Sequence, residues 1–189
     1  MNYLDISKCS VCNGIGFRTV LWVSGCEHCC VGCQNPESWD FCGGQVFTEE
    51  TFETLINLLE PDYIRGITLS GGDPLNPKNV IVDSNTNKFT IYNLILELRK
   101  RFGNSKDIWV YTGYTWTELL DFGEQYYEYR CILQNIDVLV DGKFDKSCRD
   151  ITLPFRGSKN QHLIDVSKSL SVSRLIPWNY SEVTVDNGK

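Results

Sequence analysis

The sequence is poor in histidine, in positive charge and in long apolar segments. Its 189 residues include only two histidines, which disfavours histidine-rich zinc sites and acid–base catalysis by histidine. Aspartate and glutamate (24) outnumber lysine and arginine (18), giving a net charge of −6, whereas nucleic-acid-binding surfaces are usually basic. No apolar run is long enough for a transmembrane helix, and residues 1–10 do not resemble a signal peptide. We therefore expect a cytoplasmic protein that binds neither nucleic acid nor a membrane.

Cysteine, by contrast, is abundant. The nine cysteines are Cys9, Cys12, Cys26, Cys29, Cys30, Cys33, Cys42, Cys131 and Cys148. Because disulfides are rare in cytosolic proteins, metal binding or redox chemistry is the better explanation for so many thiols. Three thiolates spaced C-x3-C-x2-C, at Cys26, Cys30 and Cys33, can hold one [4Fe–4S] cluster and leave its fourth iron open to a small-molecule ligand. The spacing equally allows Cys29 to replace Cys30.

A zinc ribbon is the alternative explanation for part of this set. Its usual spacing of two C-x2-C pairs fits Cys9, Cys12, Cys30 and Cys33. That arrangement would be a binding module without enzymatic activity, and it would give Cys26 and Cys29 no role. The remaining cysteines, Cys42, Cys131 and Cys148, are expected to be small buried hydrophobic residues.

Strands and helices are predicted to alternate along the chain. The predicted strands span 17–23, 66–70, 108–112 and 136–140, and the predicted helices begin after Thr48, cover 91–102 and cover roughly 115–129. This alternation predicts an α/β fold: a partial (β/α) barrel or a curved, mostly parallel sheet of four to six strands, with helices outside and the cluster loop after the first strand. We expect a single domain over 1–189, with a core at about 12–162 and an irregular tail over 163–189.

Several polar and glycine-rich segments follow the predicted strands directly. They are the cysteine loop, Ser70-Gly71-Gly72-Asp73, Thr112-Gly113-Tyr114 and Asp141-Gly142. In parallel α/β folds the chemistry lies at the carboxyl ends of the strands. The sequence therefore predicts that one edge of the sheet gathers all of these segments.

A set of motifs in the same order along residues 1–162 resembles a known family. The motifs are NGIGFR (13–18), SGC (24–26), GGQVFT (43–48), LSGGDPL (69–75), DIWVYTGY (107–114), VDGKF (140–144) and RGS (156–158). The cysteine spacing resembles that of the radical S-adenosylmethionine enzymes. The complete set is similar to one branch of them, the activating proteins of anaerobic ribonucleoside-triphosphate reductase.

This resemblance implies a cofactor set, a partner and a reaction. It implies that Cys26, Cys30 and Cys33 hold a [4Fe–4S] cluster, with Cys30 rather than Cys29 as the second ligand, and that S-adenosylmethionine occupies the open iron. The implied cofactor contacts are Gly32, Cys33, Gln34, Ser70, Gly71, Gly72 and Asp73. An external one-electron donor would drive cleavage of the cofactor, and the resulting radical would take a hydrogen from a backbone glycine of the reductase large subunit. A different small radical enzyme, with another substrate, is the alternative within this superfamily.

Overall fold

A computed structural model describes residues 1–81 and 89–179, which contain seven strands and six α-helices. The strands are β1 Asn2–Ser10, β2 Phe17–Val23, β3 Gln45–Val46, β4 Ile64–Gly71, β5 Asp107–Tyr111, β6 Val138–Asp141 and β7 His162–Asp165. The helices are α1 Glu49–Leu59, α2 Pro77–Val80, α3 Ile91–Phe102, α4 Trp116–Gln125, α5 Tyr127–Asn135 and α6 Val166–Val172. Short 3-10 turns lie at Pro36–Ser38 and Lys146–Cys148.

The strands form one open sheet in the order β3-β1-β2-β4-β5-β6-β7. The four central strands, β2, β4, β5 and β6, pair in parallel, and the outer strands pair antiparallel. The sheet does not close on itself, so the architecture is that of a partial barrel. The predicted α/β class with a mostly parallel core is confirmed.

The parallel register aligns the strand ends that matter for the site. Val23 at the end of β2 lies opposite Gly71 at the end of β4, and Tyr111 at the end of β5 lies opposite Val140. The loops that leave these strands therefore emerge side by side at one edge of the sheet. Leu21 on β2 and Leu69 on β4 are fully buried and belong to the hydrophobic core.

Local signals explain where the first long helix begins. Thr48 caps α1 as predicted, with its Oγ1 accepting a hydrogen bond from the Thr51 N–H at 3.3 Å. The apolar face of α1 then buries Leu55, Ile56 and Leu59 against the sheet. This helix contacts β2 and β4, and α3 and α5 pack on each other.

Three expectations about secondary structure are wrong. The structure has seven strands rather than four to six, because β1, β3 and β7 were not predicted. Strand β1, which is half-exposed and polar, forms along the otherwise free edge of β2, so the cluster loop follows the second strand. The helix predicted over 115–129 is two helices, because Tyr126 adopts an extended conformation between them. The tail is not irregular over 163–172, where β7 pairs with β6 and α6 follows; residues 180–189 of that prediction lie outside the described residues.

Among residues 1–81 and 89–179, no helix is long and apolar enough to cross a membrane.

An ion pair between a buried arginine and a partly exposed aspartate lies at the amino ends of the central strands. Arg18, which is fully buried, lies with Nη1 2.5 Å from Asp107 Oδ1. Its Nε donates to Thr68 Oγ1 at 2.8 Å, and its guanidinium lies 5.1 Å from the centre of the Trp109 ring. Burial lowers the pKa of Arg18, and the Asp107 carboxylate opposes that shift. This pair thus joins β2, β4 and β5 at the end opposite the cysteine loop.

Replacing Asp107 with asparagine should destabilise the fold, since it leaves a buried guanidinium without its counter-charge. In Asp107→Asn we expect the free energy of unfolding to fall by about 3 kcal/mol, measured by urea denaturation. The matched control is Asp62→Asn, at an exposed position. This control should change the free energy of unfolding by less than about 0.5 kcal/mol. Equal stability of the two variants would contradict a structural role for the pair.

Candidate active site

The cysteine loop is anchored to the segment that follows it. The Gly25 N–H donates to Ser38 O at 2.7 Å, and the Cys26 N–H donates to Trp39 O at 3.1 Å. Gly25 has a φ of +98°, and a Cβ there would collide with the ring of Phe41. Glycine is therefore required at this turn, and the loop is held in one shape as it leaves β2.

The three predicted cluster ligands meet in one cavity of about 410 Å³ at the carboxyl edge of the sheet. Cys26, Cys30 and Cys33 are half-buried and line this cavity, which we call the site cavity. Cys29 is exposed, has a φ of +47° and does not line it. The structure thus brings together the three cysteines of the C-x3-C-x2-C spacing and places Cys29 apart from them.

The surroundings of these thiols fit a soft metal cluster. Burial raises the pKa of Cys26 to about 11 and also raises the pKa of Cys30, so both are protonated as free thiols at neutral pH. Iron would displace those protons, because thiolates are the ligands of iron–sulfur clusters. The Asn35 N–H donates to Cys33 Sγ at 3.4 Å, a contact of the kind that tunes cluster potentials.

The zinc-ribbon alternative is not favoured by the arrangement. Cys9 lies exposed on β1 and does not line the site cavity, although Cys12 does. Within the described ranges, no three histidine, cysteine or acidic side chains are placed to hold a single metal ion. A [4Fe–4S] cluster does not require three side chains around one metal ion, because each cysteine binds a different iron. Among the other cysteines, Cys131 is buried as predicted. Cys42 is exposed and Cys148 is only half-buried, so the prediction is wrong for these two.

The Gly-Gly-Asp turn after β4 is bonded directly to the cysteine loop. The Gly72 N–H donates to Val23 O at 2.7 Å, and the Asp73 N–H donates to Gly25 O at 2.8 Å. A Cβ on Gly71 would lie 2.6 Å from Val23 O, and one on Gly72 would lie 2.6 Å from Gly25 O. The two glycines therefore allow backbone to pack on backbone, and with Ser70 they also line the site cavity.

The carboxylate of Asp73 is buried, with 1% of the residue exposed. It accepts hydrogen bonds from Thr112 Oγ1 at 2.8 and 3.0 Å, from the Gly113 N–H at 3.0 Å and from the Leu75 N–H at 2.9 Å. Its Oδ2 also lies 2.5 Å from Nε2 of His28. The side chain thus joins the cysteine loop, its own turn and the end of β5, and it is not among the residues that line the cavity.

The predicted cofactor contacts divide into two groups. Cys33, Gln34, Ser70, Gly71 and Gly72 line the site cavity. Gly32 and Asp73 do not: a Cβ on Gly32 would lie 3.5 Å from the Phe144 ring, so this glycine faces the loop after β6. These two residues lie next to the lining of the site cavity rather than in it.

His28 is a site residue that sequence reasoning missed. Its side chain is 7% exposed, its ring lies edge-on to Tyr114 with the centroids 4.6 Å apart, and it lines the site cavity. A Cβ on Gly113 would overlap the His28 ring. The only signal in the sequence is the position of His28 between two cluster cysteines, which does not reveal its partner Asp73 in the turn after β4.

The segment after β6 forms the remaining wall of the site cavity. Its lining residues include Lys143, Phe144, Leu153, Phe155 and Arg156. Gln161 holds this wall in shape: its Oε1 accepts from the Gly157 N–H at 2.9 Å, and its Nε2 donates to Gly142 O at 2.9 Å. Asp141 fixes the start of the wall, since its Oδ2 accepts from the Trp116 N–H at 2.8 Å.

Comparison with known proteins agrees with this geometry. A family model described as a 4Fe-4S single cluster domain matches residues 12–164. The anaerobic ribonucleoside-triphosphate reductase-activating protein of Pasteurella multocida is 42% identical over 166 residues, covering 85% of this chain and 95% of that protein. The chain belongs to the anaerobic ribonucleoside-triphosphate reductase-activating protein family.

Two further members of the family are similarly close. The activating protein of Enterobacteria phage T4 is 40% identical over 163 residues (86% of this chain, 93% of that protein), and that of Escherichia coli K12 is 41% identical over 163 residues (85% and 96%). Membership of the activating-protein family confirms the resemblance seen in the motifs. It favours neither the zinc-ribbon alternative nor a radical enzyme of another kind.

In this activating protein the bonds of Asp73 should matter for stability. In Asp73→Asn an NH₂ group replaces one carboxylate oxygen and meets hydrogen-bond donors, so we expect the free energy of unfolding to fall by about 2 kcal/mol and iron to leave the reconstituted protein faster. Denaturation and timed iron release to a chelator measure the two effects. Asp121→Asn, at an exposed position on α4, is the control, and wild-type behaviour of both variants would refute the role given to Asp73.

Proposed function

We propose that this protein activates anaerobic ribonucleoside-triphosphate reductase. It cleaves S-adenosylmethionine reductively at a [4Fe–4S] cluster and generates a glycyl radical on the reductase large subunit. One observation carries the proposal: three half-buried cysteine thiols from one loop line a single cavity together with the Ser70–Gly72 turn, in a chain of this family.

Cys26, Cys30 and Cys33 are the proposed cluster ligands, and one iron is left for the cofactor. When bound, the reduced cluster and S-adenosylmethionine supply the radical chemistry, with the electron coming from an external donor. The loop around the thiols is held by the bonds from Gly25 and Cys26 to residues 38 and 39. That rigidity keeps the ligands in place through changes of cluster charge.

The turn after β4 is the proposed binding site for the cofactor. Ser70, Gly71 and Gly72 line the site cavity beside the cysteines, and Gln34 follows the last ligand. Asp73 fixes the direction of this turn through its bonds to Thr112 and Gly113. The role proposed for Asp73 is therefore to orient the turn, while backbone groups of the glycines bind the amino group of the cofactor.

Aromatic and aliphatic side chains line other parts of the cavity and would exclude water. Trp22, Trp39, Phe144, Leu153 and Phe155 all contribute to the lining. A radical chemistry needs such a wall, because a reactive species in open solvent reacts with the wrong group.

The cluster ligands can be tested by matched cysteine variants. After anaerobic reconstitution the wild-type protein should hold about four irons per chain and, with a reductant, should cleave S-adenosylmethionine to methionine. Cys30→Ala should lose the cluster and the cleavage, whereas Cys29→Ala, one residue away but outside the site cavity, should keep both. Iron analysis and quantified methionine are the measurements.

The opposite pattern would refute the ligand set. If Cys29→Ala loses the cluster while Cys30→Ala retains it, the loop binds iron in another register. If the wild-type protein purified without oxygen holds zinc and no iron, the proposed activity itself is wrong.

A further inference from the structure

We propose that Arg156 is a binding residue for the protein substrate, and that its Nε–H donates a hydrogen bond to a backbone carbonyl of the glycine-bearing segment. This inference rests on the proposed function, since it assumes that a segment of the reductase enters the site cavity. It assigns Arg156 to binding of the protein substrate and not to binding of S-adenosylmethionine.

The first observation is a buried donor that the protein does not use. Arg156 lines the site cavity, and its Nη1 donates to Gln161 O at 3.1 Å. Its Nε is buried, and within residues 1–81 and 89–179 it has no acceptor. Buried N–H groups are nearly always paired, and an unpaired one costs free energy. A ligand that offers an acceptor at this position would remove that cost.

A second unused donor lines the same cavity. The indole Nε1 of Trp39 is also buried without an acceptor in the described part of the chain. Trp39 lies on the segment that anchors the cysteine loop, since its backbone oxygen accepts from the Cys26 N–H. Two residues that line the cavity, on different segments, therefore each have an unused donor, which suits a ligand with more than one acceptor, as a peptide backbone has.

The guanidinium is held in place before any ligand arrives. Phe155 O, next to Arg156 in the chain, accepts from Tyr111 Oη at 2.8 Å. The Gly157 N–H, on the other side, donates to Gln161 Oε1 at 2.9 Å. The backbone on both sides of Arg156 is thus held, and the bond from Nη1 to Gln161 O holds the guanidinium itself. A side chain that is already ordered loses less freedom on binding, and this favours affinity.

The neighbours of Arg156 indicate a peptide rather than the cofactor. Phe144, Leu153 and Phe155 line the cavity on the same wall, so an acceptor bound by Arg156 would be flanked by apolar side chains. The cofactor is proposed to bind at the cysteines and the turn after β4, which lie on other segments. A backbone carbonyl between apolar contacts is the usual pattern for an extended peptide bound along a groove.

The experiment compares three variants of the cluster-loaded protein. Arg156→Ala removes the donor and Arg156→Lys keeps the charge but has no N–H at the Nε position. Arg149→Ala removes the same charge from an exposed position on the same segment. The affinity for full-length anaerobic ribonucleoside-triphosphate reductase and the affinity for S-adenosylmethionine are measured separately, without oxygen, and circular dichroism checks folding.

We expect both Arg156 variants to bind the reductase about tenfold to a hundredfold more weakly, the effect of one lost charge-assisted hydrogen bond. Their affinity for S-adenosylmethionine, and its cleavage without reductase, should stay within about twofold of wild type, a margin well below the effect of one such bond. Arg149→Ala should match wild type in every measurement. If Arg156→Ala is poorly folded, the comparison of Arg156→Lys with wild type decides.

Three results would overturn the inference. Weaker binding of S-adenosylmethionine by the Arg156 variants would mean that the residue binds the cofactor. Wild-type reductase affinity in Arg156→Lys would mean that only the charge matters. Unchanged reductase affinity in both variants would mean that Arg156 does not bind the reductase. Failure of the proposed function gives a different result, because the wild-type protein itself would then not bind the reductase.

Discussion

A single buried carboxylate, that of Asp73, joins the segments from which the site cavity is built. It accepts from Thr112 and Gly113 at the end of β5, accepts from Leu75 in its own turn and lies 2.5 Å from Nε2 of His28 in the cysteine loop. Removing one such partner leaves the others unpaired in a buried site, which makes the network costly to break. The cavity thus depends on Asp73 even though the residue does not line it.

The parallel sheet makes this network possible. Because β2, β4, β5 and β6 run in the same direction, the loops that leave them meet at one edge, and a short side chain can reach across two of them. At the amino ends of these strands, the ion pair of Arg18 and Asp107 joins the beginnings of β2 and β5. The charged pair therefore lies at the amino ends of the parallel strands, and the cysteines and glycines that line the site cavity lie at their carboxyl ends.

Much of this arrangement could be predicted because its signals are local. The β-branched and aromatic run of Phe17–Val23 gave both ends of β2, and Thr48 gave the start of α1. The strand β1 could not be predicted, because its half-exposed residues carry no apolar pattern and it forms by pairing with β2. Nor could the role of Asp73, because His28 and Thr112 lie 45 and 39 positions away in the chain and the residue reads locally as part of an ordinary turn.

We propose that the cavity cysteines and the Ser70–Gly72 turn serve one reaction, the formation of a glycyl radical on the reductase. Electron paramagnetic resonance tests it most directly, on a mixture of the reconstituted, reduced protein, S-adenosylmethionine and the anaerobic reductase. We expect a glycyl-radical signal on the reductase that requires all three components and changes when the glycine carries deuterium. Cleavage of S-adenosylmethionine with no radical on the reductase would contradict it, as would a radical that forms equally well with Cys30→Ala.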